Sequence, residues 1–141
     1  MEAELEKEFN DLYEQERHKD IVEFIEQIPE GERDWPMIGW YIRSLNNSEE
    51  YLRAEEVSMR YQAQGESDPM WHYRLGYALW YLDRDKEADA AMHRAKELAQ
   101  GDEKVLAWVE EFLEMIDSFK REAERRARIS RNPTVPPLIH S

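Results

Sequence analysis

The stretch Trp71–Ala99, WHYRLGYALWYLDRDKEADAAMHRAKELA, decides the fold. At about 100° per residue its first half puts Trp71, Leu75, Ala78, Leu79 and Leu82 on one side of a helix. Tyr73, Tyr77, Trp80 and Tyr81 fall nearly opposite. A helix that is apolar on both sides is buried on both, or buried on one and used for recognition on the other. The second half repeats the helical period with Ala88, Met92 and Ala95 at i, i+4 and i+7.

Working outward, the punctuation is regular. Pro29, Gly31 and Asp34-Trp35-Pro36 break the chain, then Gly65 and Ser67-Asp68-Pro69, then Gly101-Asp102. Asp34, Asp68 and Asp102 are helix N-caps by residue type, and successive ones stand 34 residues apart. Pro69 follows its cap directly, in the first turn where its missing N–H costs nothing. Gly101 suits the left-handed position that ends a helix. Overlaid at that offset, Leu45 falls on Leu79 and Ala54 on Ala88. The faces Ile21/Ile25/Ile28, Ala54/Ser58/Tyr61 and Ala88/Met92/Ala95 then align. A fixed helical period of this length marks a repeat array. The spacing predicts helices over 2–15, 18–28, 35–47, 50–64, 69–82, 85–99 and 103–129, and no strands. The last of these begins apolar and runs into KREAERRARISR, which has no apolar stripe and is expected to be exposed. The final NPTVPPLIHS carries three prolines and is expected to be extended.

Composition restricts the function classes. The 141 residues are 41% hydrophobic and 36% charged, and the mean hydropathy is −0.90. These values fit one domain with a thin core and a wide wetted surface. No apolar run of about eighteen residues exists to span a membrane. The acidic start MEAELEKEFNDLYEQE carries no sign of a secretory leader, and with no cysteine there is neither disulfide nor thiolate site. A cytoplasmic protein is expected. The net charge of −13 argues against a nucleic-acid partner. Residues from Asp117 onward hold six Lys/Arg and three acids, a surplus of three positive charges, so the first 116 residues carry −16. The expected division is therefore a helical-repeat domain over 1–116 and a basic helical extension with a Pro-rich tail over 117–141.

The stretch from Trp71 resembles a tetratricopeptide repeat (TPR). Leu75-Gly76 match the paired positions of that pattern and Leu79 the large one. Ala88, Met92 and Ala95 match small, aromatic and small. The match thins outward: the second unit keeps Leu45 and Ala54 but has Ile42 for the glycine, and the first has Phe9, Ile21 and Ile28 at the small positions. The look is that of short bacterial tetratricopeptide-like domains. The resemblance implies an all-α fold, a right-handed α-solenoid of three TPR-like helix-turn-helix units plus a C-terminal capping helix. It also implies a concave groove lined by the first helix of each unit. In the third unit those groove positions are Tyr73, Tyr77, Trp80 and Tyr81. In the second they are Gly39, Arg43, Asn46 and Asn47, and in the first Asn10, Tyr13 and Glu14.

The rest of the chain offers little for catalysis or metal binding. His18, His72, His93 and His140 stand in different elements without a second ligand at i+3 or i+4. The five glycines stand alone, so no phosphate loop or nucleophile elbow is present. Acid pairs such as Glu49-Glu50 and Glu110-Glu111 read as solvent faces of helices. No enzyme, metal or cofactor is expected. The function expected is a protein–protein interaction module, an adaptor or scaffold that binds a peptide or helix in the groove. Its site would comprise Arg43, Asn46, Asn47, Tyr73, Tyr77, Trp80 and Tyr81. Asn46 and Asn47 would bond a peptide backbone and Arg43 would pair an acidic group. At least two of the four rings are expected to face the groove; in the plainer alternative Trp80 and Tyr81 pack on the closing helix at Trp108 and Phe112. The rival function is an acidic inhibitor or immunity-type protein that blocks a basic partner. The tail can also dock in a groove, giving self-association. Neither nucleic acid nor membrane is an expected partner.

Overall fold

Aspartate starts three helices, as the spacing predicts. Asp34 accepts the Met37 N–H at 3.0 Å, Asp68 the Met70 N–H at 2.9 Å and Asp102 the Val105 N–H at 3.2 Å. Each carboxylate satisfies a backbone donor that the first helical turn leaves unpaired. Pro36 and Pro69 sit in the first turns behind the first two caps.

The computed structural model describes residues 1–131. Its helices are α1 (Ala3–Glu14), α2 (His18–Glu26), α3 (Trp35–Asn47), α4 (Tyr51–Arg60), α5 (Gln62–Gly65), α6 (Pro69–Tyr81), α7 (Asp85–Leu98) and α8 (Glu103–Arg131), with one 3-10 turn at Glu30–Glu32. No strand occurs among the described residues, so the fold is all-α. The tail NPTVPPLIHS, expected to be extended, and His140 within it lie outside them.

Three turns repeat one geometry. Glu16, Glu49 and Asp83 take positive φ of 57°, 60° and 61°. Their N–H groups reach back to the carbonyls of Tyr13, Asn46 and Trp80. The next residues, Arg17, Glu50 and Arg84, donate to Leu12, Leu45 and Leu79. These paired bonds close a helix end, and their registers follow the spacing of the aspartate caps. None of the three residues is glycine, and all three are exposed.

One expected helix is divided. The span 50–64 breaks at Tyr61, where φ −108° and ψ 25° interrupt the helix. Ser58 explains the break. Its hydroxyl donates to the Ala54 carbonyl at 2.7 Å. Its own carbonyl accepts the Trp71 indole N–H at 2.9 Å and, in a tight i to i+3 bond, the Tyr61 N–H at 3.1 Å. A carbonyl drawn to a side chain and to i+3 no longer serves the regular ladder.

Burial follows the aligned faces. Ile21, Ile25, Ala54, Ser58, Ala88, Met92 and Ala95 are buried, while Ile28 and Tyr61 are half-buried. Successive helices pack against each other, and α6 also meets α3, α4 and α8. On α6 the stripe Trp71, Leu75, Ala78 and Leu79 is core. A Cβ on Gly76 would lie 3.2 Å from the Ala91 Cβ and 3.0 Å from the Met92 Cε, so the glycine sets how closely α6 and α7 approach. The first half of α8 covers α7 with Val105, Val109, Phe112, Leu113 and Ile116. Beyond Ile116 the same helix runs on without a break, almost wholly exposed, as the missing stripe predicts. Glu122 bonds Arg125 at 2.7 Å and Arg126 at 3.1 Å there, the i+3 and i+4 pairs that support a solvated helix.

Two substitutions test this account by urea unfolding. Glu49→Gly relieves left-handed strain on a side chain and is expected to add about 1 kcal/mol of stability. Gly65→Ala is expected to cost about 3 kcal/mol, because its Cβ would sit 2.3 Å from the Trp71 ring. Equal unfolding midpoints for these variants and the wild type would contradict both assignments.

Candidate binding cavity between α3, α6 and α8

A cavity of about 540 Å³ opens between α3, α6 and the start of α8, with Tyr13 of α1 on its wall. Five of the seven residues expected to line a groove meet in it: Arg43, Asn46, Asn47, Tyr73 and Tyr77. Trp80 and Tyr81 do not. Trp80 packs edge-on against Phe112 (6.5 Å between centroids) and Phe119 (5.6 Å), which is the closing-helix alternative with Phe119 in place of Trp108. Tyr81 is 47% exposed and stacks on Tyr51 at 4.8 Å, outside the cavity.

Local packing aims each wall residue. Arg43 lies with its guanidinium carbon 4.1 Å from the Tyr13 ring centre and 4.9 Å from that of Trp40. Cation–π contact holds the charge at the rim while its stem stays half-buried. Tyr73 and Tyr77 lean on Phe112 of α8, at 6.1 Å and 5.5 Å. Burial pushes both phenols above their ordinary range, with Glu111 adding to the rise at Tyr73 and Tyr81 at Tyr77. Both are neutral O–H groups at pH 7. Asn47 is exposed at the edge.

Asn46 also serves the fold. It is buried, and its side-chain amide donates to the Arg74 carbonyl at 3.1 Å, tying α3 to α6. The NH₂ of the amide is therefore in use within the fold. Its Oδ1 is buried and has no hydrogen-bond partner among the described residues.

The structure adds residues that the repeat positions did not indicate: Arg74 from α6, and Lys104 and Trp108 from α8. Arg74 is the informative one. Its Nε is buried and unpartnered among the described residues, and burial lowers the guanidinium to about 10. Asp68 counters that fall and the like charge of Arg43 adds to it, yet Arg74 is still a cation at pH 7. Both Asp68 oxygens are committed elsewhere, to the Trp35 indole at 2.8 Å and the Met70 N–H at 2.9 Å. Gly39 makes room for the group: a Cβ there would stand 3.0 Å from an Arg74 terminal nitrogen. A signal was present in the sequence, because Arg74 is the one Lys, Arg, Asp or Glu between Pro69 and Leu82. Trp108 is 39% exposed at the mouth, with the Lys104 ammonium 5.2 Å from its ring centre.

Arg43, Arg74 and Lys104 face a single acid, Asp102, on the wall. The cavity is therefore a cationic spot in a chain of net charge −13. No group of three metal-ligating side chains gathers among the described residues, and no helix among them is long and apolar enough to cross a membrane.

Replacing a buried, unpaired cation by an apolar side chain of similar length is neutral or stabilising, whereas removing one partner of a satisfied bond is not. Arg74→Met is thus expected to leave stability unchanged or raise it by about 1 kcal/mol, and Asn46→Ala to lower it by about 1 kcal/mol. Urea midpoints decide, and a large loss in Arg74→Met would mean that the guanidinium holds the fold together. Compared with protein-family models, curated proteins and solved structures, the chain matches none.

Proposed function

We propose that the chain is a protein–protein interaction module, an adaptor or scaffold that holds a peptide or helix in the cavity between α3, α6 and α8. In this reading α1/α2, α3/α4 and α6/α7 are three TPR-like units of a right-handed α-solenoid, the first half of α8 is its capping helix, and the protein works in the cytoplasm. The recurring aspartate caps and left-handed turns support the repeat. The observation that carries the function is the cavity wall itself, which the rings of Tyr13, Tyr73, Tyr77 and Trp108 share with Arg74 and Asn46, whose Nε and Oδ1 have no partner among the described residues. Aromatic side chains with a polar tip give large contact area for little lost rotamer freedom, and cavities of this size suit side chains of a bound segment.

The double variant Arg43→Ala/Trp108→Ala changes two half-open wall residues and none of the buried core. It is expected to keep the helical circular dichroism of the wild type and to lose most of the proteins that the wild type retains in affinity capture. An unchanged set of captured proteins from a folded variant would end this reading.

The charge distribution favours a second reading, an acidic inhibitor or immunity-type protein. With −16 over the first 116 residues, long-range attraction to a basic partner would dominate association. Affinity for such a partner should drop by orders of magnitude between about 0.05 M and about 0.5 M salt. A flat profile would exclude it.

A further inference from the structure

We propose that the cavity takes the carboxylate of an acidic side chain within a bound peptide, with Arg74 as its anchor and Asn46 accepting an N–H of the same segment. This rests on the peptide-binding reading above and gives the bound segment its chemistry.

Two unpartnered groups of opposite hydrogen-bonding character lie on one wall. Among the described residues the buried Arg74 Nε–H has no acceptor and the buried Asn46 Oδ1 no donor. They are linked through the bond from the Asn46 amide to the Arg74 carbonyl, at 3.1 Å. A donor or acceptor buried without a partner is costly, and gains most from a ligand that supplies one. A peptide bearing an Asp or Glu supplies both missing partners at once, a carboxylate for the guanidinium and a backbone N–H for the amide oxygen. The planar guanidinium fork matches a carboxylate in shape as well as charge.

The surroundings select for a single negative charge. Arg43 and Lys104 add cationic character, and Arg43 is held in place by the Tyr13 and Trp40 rings. Asp102 on the same wall opposes an ion of higher charge. The positive wall stands out against the overall charge of −13, so it does not follow from composition. Gly39 is consistent with this use, because an alanine there would crowd the guanidinium that the ligand must meet. The apolar faces of Tyr77 and Trp108 lie on the same cavity. They favour a bulky apolar side chain next to the acid.

The test is selection from a library of random heptapeptides displayed inside a longer chain, so that no free terminus enters the cavity. Selected peptides are then made with acetylated and amidated ends and titrated calorimetrically. Asp or Glu is expected at one fixed position of the selected set. Its exchange for Asn or Gln should weaken binding to the wild type roughly tenfold, and should make no difference to Arg74→Met. Unfolding of Arg74→Met is measured alongside. Should that variant fold poorly, Arg74→Lys keeps the charge but lacks the Nε edge, and is expected to lose most of the preference for acid over amide. Selected peptides without an acidic position, or an acid preference that survives in folded Arg74 variants, would overturn the inference while leaving peptide binding intact. A library that yields no binders would overturn both.

Discussion

The architecture turns on the Trp71 indole. Its N–H is bonded to the Ser58 carbonyl at 2.9 Å, and its ring lies where any side chain at position 65 would stand. The ring therefore cannot swing aside, and the rotational phase of α6 is set at its first turn. With Trp71 directed into the core, Leu75, Ala78 and Leu79 follow it inward, and Tyr73, Arg74 and Tyr77 are left to face the cavity. Asp68 secures the same helix end from another side, since one carboxylate caps α6 and accepts the Trp35 indole of α3. The floor of the cavity thus descends from two tryptophan N–H bonds made at helix starts, away from the cavity itself.

The electrostatics run against the composition. A strongly acidic chain gains solubility and a long-range pull on cations from its surface charge. It nonetheless keeps the Nε of one arginine buried and without an acceptor among the described residues, and burial lowers that guanidinium despite the opposing pull of Asp68. The neighbouring phenols behave consistently, because burial keeps Tyr73 and Tyr77 protonated and able to donate.

Much of the fold was legible in the sequence because it depends on local chemistry. Aspartate caps, proline in first turns and the i, i+4, i+7 faces need no knowledge of distant residues, and they placed the helices closely. The break at Tyr61 was not legible, since it arises when Trp71, thirteen residues on, claims the Ser58 carbonyl. The left-handed turns at Glu16, Glu49 and Asp83 escaped notice for another reason: no glycine marks them. For the cavity, the positions taken from the repeat pattern found the walls on α3 and α6. They could not supply the α8 wall of Lys104 and Trp108, which depends on how a helix outside the repeat docks. Arg74 lies between the two apolar stripes of its helix, where periodicity is silent, and Asn46 reads as a surface amide until α6 is packed over it.

Gly39 has one more consequence. The space above its backbone is occupied by the end of a side chain from another helix, 35 positions later in the chain. The two sites therefore share one volume. A Cβ at 39 would press on the guanidinium end of Arg74, and shortening 74 alone would leave space above a bare backbone. Across a lineage of such chains, changes in size at the first position would be expected to go with changes in length at the second. That pairing is a signature readable from aligned sequences alone, without reference to helices, caps or cavities.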